Sequence, residues 1–357
     1  MAFDRDSGSA SPTGCIDELL PGTPLMHGQY RISRFLNSGG FGITYIATDA
    51  LGRNVVLKEC YVESFCARHQ SAVRPRSDMA RPHLQRAIAS FGEEARILAM
   101  MNHPNIVRIH QLFSENGTSY MALDHVNGPD LVEIVDERKA VLTPGQIVRI
   151  AERLISAISH IHDRNLIHCD VSPDNICIPA TGEPVLIDFG AAREMVDGVA
   201  RKHSGFSLVK DGYSPPELYQ SHGVCGPESD IYALAASLYY AITGKAPADG
   251  ETRLRALIAD RPDPLITLAG VIPGYPPGFL ATIDKAMSVE PRDRFPTAKS
   301  WLRAMATPPV ARSQPQRPPL YAVPVPPEPV TRDRNVVLLR RSSVTPEPEP
   351  KILHSGI

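Results

Sequence analysis

The chain has 357 residues, 43% hydrophobic and 21% charged, which is enough for one large domain or two moderate ones with a sizeable core. Its formal net charge of -2 gives no electrostatic case for a nucleic-acid partner or an anionic membrane surface. No apolar run approaches the roughly 20 residues that span a bilayer, so no membrane span is expected. Cys15, Cys60, Cys66, Cys169, Cys177 and Cys225 show neither a C-x-x-C pair nor zinc spacing and read as reduced, mostly buried thiols. The polar N-terminus, with Asp4 and Asp6, does not read as a secretory signal, and a cytoplasmic location is expected.

Residues 1–28, rich in Ser, Gly, Pro and Asp, read as a flexible leader. Residues 30–36 alternate like a strand, a glycine-rich turn follows at 37–42, and a second strand runs over 43–48. A turn at 49–54 precedes the apolar run Val55-Val56-Leu57-Lys58. Residues 62–82 look like an irregular basic insertion. Leu84, Ile88, Phe91, Ala95 and Leu98 have helical spacing within 83–101, and Pro104 forbids continuation. After two more strands, helices are predicted over 146–162, 229–243 and 277–289. From Thr307 the chain is proline-rich, so 307–357 should be disordered or extended in polyproline conformation.

The chemistry concentrates in His168-Cys169-Asp170-Val171-Ser172-Pro173-Asp174-Asn175 and in Asp188-Phe189-Gly190, which follows the strand-like run 184–187. Phosphoryl transfer from ATP needs an acceptor for the substrate hydroxyl proton and oxygen ligands for Mg²⁺. Asp170 suits the first task, and Asn175 with Asp188 suits the second. The glycine-rich turn lies between two strands and opens no helix, which argues against a dinucleotide fold. It is either a structural hairpin or a cover for phosphates. Lys58 closes an apolar run, and a buried ammonium needs an anion, for which Glu94 is the candidate. The alternative leaves both groups solvated. His168 has no metal partner in sight and reads as a packed core residue, and Cys169 and Cys177 read as packing residues too.

In this order and spacing the chain resembles the protein kinase family, in particular bacterial Ser/Thr kinases of the eukaryotic-like type, over about residues 30–305. The resemblance implies an α+β fold of two lobes: a small, mostly β N-lobe at about 29–125 and a larger, mostly α C-lobe at about 126–306. It implies ATP and Mg²⁺ as cofactors and a protein substrate. Residues 37–44 are similar to the glycine-rich loop, 55–58 to the strand bearing the phosphate-binding Lys58, and Glu94 to its helix partner. Leu123 to Val126 is similar to the adenine-binding hinge, with Asp130 placed for ribose. The nucleotide site so implied comprises Leu36, Ser38, Gly39, Gly40, Phe41, Gly42, Thr44, Val56, Lys58, Leu123, Asp124, Val126, Asp130 and Cys177. Asn175 and Asp188 are its metal ligands, Asp170 its catalytic carboxylate, Glu217 the close of the activation segment, Arg294 the partner of Glu217, and Asp230 the buried aspartate of the central helix.

Four departures from the family pattern carry consequences. Asn37 stands for the first loop glycine, and Val56 for an alanine over adenine. Cys169 replaces the arginine that answers an activation-segment phosphate, so activity should not require phosphorylation there, although Ser204 and Ser207 are available. Ser172 replaces the catalytic-loop lysine, while Lys210 occupies the position where a hydroxyl residue usually stands before Pro215-Pro216-Glu217. The two residue types look exchanged, which makes Lys210 a fourth catalytic candidate. A nucleotide-binding pseudokinase scaffold is the alternative reading, and Cys169 and Ser172 speak for it. A small-molecule phosphotransferase is a third. In the tail, Arg340-Arg341-Ser342-Ser343 is either a solvated linker or a phosphorylation site beside a proline-rich ligand for a partner's aromatic groove.

Overall fold

The structure is a computed structural model and describes residues 17–40, 42–137, 141–196, 199–200, 209–220 and 223–306. Phe41, Ser204, Ser207 and the proline-rich tail lie outside the described residues.

An antiparallel sheet of six strands, in the order β1-β2-β3-β4-β8-β7, forms the N-terminal lobe. Its strands are β1 (Pro24–Leu25), β2 (Tyr30–Gly39), β3 (Gly42–Asp49) and β4 (Asn54–Cys60), joined after a hairpin and a helix by β7 (Ile109–Glu115) and β8 (Thr118–Asp124). The hairpin is β5 (Cys66–His69) and β6 (Ala72–Pro75); the helix is α1 (Arg81–Ala99). Side chains alternate across the sheet with period two. Val55 and Leu57 of β4 therefore enter a cluster with Leu25, Tyr30, Ile32, Tyr45 and Tyr120, while Val56 and Lys58 face the other way, toward α1 and the second lobe.

Two expectations need correction here. The leader is not loose up to residue 28: Leu19 and Leu25 are buried, and β1 pairs Pro24 with Arg31 and Leu25 with Tyr30. The supposed irregular insertion contains β5 and β6, with Gln70 at φ 58° in the turn. Strands of four residues joined by a turn without glycine give little periodic signal. The hairpin is anchored by charge. The Arg68 guanidinium donates to the fully buried Glu59 carboxylate at 2.6 Å, and Glu59 also accepts from the Tyr45 and Tyr120 hydroxyls at 2.9 and 2.7 Å.

The second lobe opens with α2 (Leu131–Asp136) and α3 (Pro144–His162), followed by the short strands β9 (Leu166–Ile167), β10 (Ile176–Cys177) and β11 (Val185–Leu186). Beyond them β12 (Arg193–Val196) pairs with both β9 and β13 (Val199–Ala200). Helices α4 (Pro227–Thr243), α5 (Gly250–Ile258), α6 (Phe279–Ala286) and α7 (Ala298–Ala306) complete it. All residues from Ser229 to Tyr240 of α4 are buried, so this helix is apolar nearly all round and forms the lobe's axis. Trp301 of α7 is fully buried, and its indole N–H donates to the Thr282 hydroxyl at 3.1 Å. The α+β architecture agrees with expectation, and α1, α3, α4 and α6 fall where helices are predicted. No helix among the described residues is long and apolar enough to cross a membrane.

Candidate active site

Lys58 projects from β4 between two carboxylates: its Nζ lies 2.9 Å from Glu94 Oε1 on α1 and 2.8 Å from Asp188 Oδ1 beyond β11. Burial opposes the Lys58 charge, yet Asp188 and Glu94 outweigh it and raise its pKa. Asp188 is held below the usual carboxylate range: burial works against its charge, but Lys58 and the Gly190 N–H, 2.9 Å away, prevail. Burial pushes the Glu94 carboxyl up despite Lys58. The alternative in which Lys58 and Glu94 are solvated does not describe the molecule.

A second cluster forms on the loop between β9 and β10, whose shape is set from α4. The buried Asp230 accepts from the backbone N–H of His168 at 2.8 Å and of Cys169 at 2.9 Å, and His162 Nε2 lies 2.9 Å from the same carboxylate. Cys169 sits at φ 63°, a left-handed conformation uncommon for a residue with a Cβ, and its N–H is held there by Asp230. His168 is fully buried, packs on the Phe189 ring with centroids 4.6 Å apart, and accepts from the Asp170 N–H through Nδ1. It is a packed core residue, as expected. Asn175 donates through Nδ2 to the Asp170 backbone carbonyl at 2.8 Å and to Asp170 Oδ2 at 3.0 Å. Burial lifts the Asp170 carboxyl to about 6, against the pull of Lys210 and with the help of Asp188 and Asp174.

Lys210 arrives from the opposite side. Its Nζ donates to Ser172 Oγ at 2.8 Å and lies 3.2 Å from Asp170 Oδ1 and 3.1 Å from Asp174 Oδ2. Asp174 is the member of this cluster that sequence reasoning missed. Its place one residue before Asn175 is visible in the sequence, but no motif marks it as a second carboxylate partner for the Lys210 expected beside Asp170.

Around the cleft, Leu123 of β8 pairs with Val56 of β4. Asp124 forms a 2.8 Å contact with His110, and Cys177 is buried and bridged to Asp130. Asp130 also caps α2, accepting from the Glu133 N–H at 2.7 Å, so one oxygen of the expected ribose ligand already serves the helix. In the glycine-rich turn Thr44 pairs with Lys58, Ser38 with Ile43, and Gly39 with Gly42. Leu36 is exposed, and Gly39 and Gly40 have open space where a side chain would stand. Val126, half-buried, packs against the larger core cluster.

The donor set suits Mg²⁺ shared with phosphates. Asn175 spends its amide nitrogen on Asp170, which leaves the carbonyl oxygen, and Asp188 spends Oδ1 on Lys58 and Gly190, which leaves Oδ2. Two hard oxygen donors match an ion that keeps waters and takes its remaining ligands from a nucleotide.

A two-lobed fold with an ion-paired strand lysine, a carboxylate-bearing loop and an Asp-Phe-Gly turn is the architecture of a protein kinase domain. The protein kinase domain family matches residues 30–295, and the chain belongs to that family. It is 31% identical over 277 residues to the serine/threonine-protein kinase PrkC of Bacillus subtilis, a match covering 76% of this chain and 39% of PrkC. The serine/threonine-protein kinase PknA of Nostoc is 30% identical, with 79% of this chain and 47% of PknA covered. This chain thus spans under half the length of either relative. Among solved structures, the PpkA-294 apo form superposes with a TM-score of 0.68 at 31% identity, covering 81% of this chain and 99% of that one.

Proposed function

We propose that this chain transfers the γ-phosphoryl group of ATP to a Ser or Thr hydroxyl of a protein substrate. The observation that carries the reading is Lys58 held between Glu94 and Asp188, since a lysine so fixed can grip the α- and β-phosphates beside the metal-binding carboxylate. Asp170 orients the acceptor hydroxyl and takes its proton, and its raised pKa suits a group that must accept one near neutrality. Asn175 and Asp188 would hold Mg²⁺, which when bound neutralises charge on the triphosphate. Backbone N–H groups of Gly39, Gly40 and Gly42 cover the phosphates. Adenine lies between Val56, Leu36 and Cys177, with Asp124 and Val126 offering backbone partners, Leu123 at the rear and Asp130 toward ribose. The free thiols Cys60, Cys66, Cys169, Cys177 and Cys225 suit a reducing, cytoplasmic setting.

Incubating the purified chain with labelled ATP and Mg²⁺, with and without a generic protein substrate, tests this. Label on protein as phosphoserine or phosphothreonine is the expected result. Nucleotide binding without any transfer would favour the scaffold, and phosphotyrosine would change the substrate class.

A further inference from the structure

We propose that Lys210, exchanged in place with Ser172, supplies from the activation segment the positive charge that faces the γ-phosphate and the acceptor hydroxyl. The proposal rests on the kinase reading above and specifies how that site is completed.

Geometry is the first support. A lysine pointing to solvent would make no fixed contacts, as most lysines do. Lys210 instead reaches three oxygen-bearing groups at once: Ser172 Oγ at 2.8 Å, Asp174 Oδ2 at 3.1 Å and Asp170 Oδ1 at 3.2 Å. Ser172 is fully buried, so its hydroxyl has a fixed position and holds the ammonium beside Asp170 rather than letting it roam. Asp170 and Asp174 keep Lys210 charged although burial opposes it. Among the described residues, Lys210 is the cation that meets the Asp170 carboxylate, whose other side-chain partner is the Asn175 amide.

The backbone of Lys210 is fixed as firmly as its side chain. Its N–H donates to Ser214 Oγ at 2.9 Å, and its carbonyl accepts from the N–H groups of Tyr213 at 3.0 Å and Ser214 at 2.8 Å. The turn so formed passes through Gly212 at φ 84°, where an added Cβ would come within 3.2 Å of Ala246 Cβ and the Pro247 carbonyl. The cation therefore stands on a rigid turn seated on the second lobe, and preorganised charge of this kind costs no rearrangement during reaction.

Cys169 offers no cation to receive a phosphate, and Lys210 itself ties the activation segment to the catalytic loop. Charge delivery and the tie between the two loops then reside in one residue.

The test compares the parent chain, Lys210→Met, and the double variant Ser172→Lys with Lys210→Thr, each assayed with labelled ATP and checked for folding by thermal melting and for nucleotide affinity. Lys210→Met should lower kcat at least about tenfold while leaving the KM for ATP within roughly twofold, as for a group that acts on the reacting centre rather than on nucleotide binding. The double variant should recover at least about fivefold over Lys210→Met, because the charge returns from the other side. An active parent with an unaffected Lys210→Met overturns the exchange while leaving the kinase reading intact. So does a folded double variant that binds ATP and recovers nothing, since Lys210 would then be a tether only. Should the double variant fail to fold, Lys210→Arg provides the measurement: it keeps the charge, and activity no better than that of Lys210→Met overturns the proposal. A silent parent overturns both readings.

Discussion

The Arg294 guanidinium grips the Glu217 carboxylate with two nitrogens, at 2.8 and 2.7 Å, and thereby fastens the end of the activation segment to the base of the second lobe. Arg294 is fully buried along its side chain, and its remaining N–H groups donate to the backbone carbonyls of Ser288, Val289 and Glu228. Ser229 Oγ also donates to Glu217. Breaking a buried pair leaves a desolvated charge behind, so Arg294→Ala should lose about 3–5 kcal/mol of stability, and Arg294→Lys should lose a large part of that because an ammonium cannot make the fork. Urea denaturation measures it. A loss below about 1 kcal/mol would mean that water enters and rescues Glu217.

The two catalytic carboxylates should separate kinetically. Asp170→Asn removes an interaction with the reacting hydroxyl, so kcat should fall by about two orders of magnitude or more with ATP affinity nearly unchanged. Asp188→Asn takes charge from both Lys58 and the metal, so it should weaken Mg²⁺-dependent nucleotide binding as well as turnover. Chelating Mg²⁺ should silence the parent chain. Near-normal phosphorylation by Asp170→Asn would remove the assigned base.

Glycines in one turn should respond differently to alanine. A Cβ on Gly42 would stand 2.4 Å from the Glu59 carbonyl, whereas Gly39 and Gly40 have nothing within 4 Å. Gly42→Ala should therefore lower the melting temperature by forcing β3 from β4. Gly39→Ala should leave the melting temperature alone and raise the KM for ATP, because its cost appears only when phosphates approach. Equal effects on stability at both positions would contradict this division.

Acid should find His168. Burial pushes its imidazole from the ordinary 6.5 to about 4, opposed by Asp230 and Asp188 and aided by Lys210 and His162. The neutral ring is favoured in the fold, whereas the unfolded chain takes up a proton below about 6.5, so stability is full above that value and falls between it and about 4. A shift of that size corresponds to about 3 kcal/mol. The stability difference between the parent chain and His168→Gln should shrink by that order as the pH is lowered through this window. Parallel stability curves would show that another group governs acid unfolding.

Sequence order made much of the site legible because its chemistry needs particular residue types at particular spacings. Lys58 meets Glu94 and Asp188, and Asp170 meets Asn175, as the family resemblance implies, and the exchange of Ser172 with Lys210 is legible once that pattern is counted back from Glu217. What escaped was whatever depends on partners distant in sequence or on short elements. Glu59 follows Lys58 on an alternating strand and looks like an ordinary polar position, yet it is fully buried, because Arg68 of an unrecognised hairpin and the hydroxyls of Tyr45 and Tyr120 satisfy it. Asp130 looked free for ribose because an N-cap is invisible until the helix it opens is recognised, and α2 has only six residues.

The hairpin and the segment ahead of β1 complete one another. Arg68 donates to the Asp17 carbonyl at 2.5 Å, and the Leu19 N–H donates to the same Tyr45 hydroxyl that binds Glu59. The stretch matching the kinase family begins at residue 30, so half of this joint lies ahead of it. Residues 17–28, the 66–75 hairpin and Glu59 therefore form one structural unit. A chimera that imports any one of them from a relative without the other two would strand a charge inside the small lobe, whereas exchanging all three together would leave the sheet beneath Lys58 undisturbed.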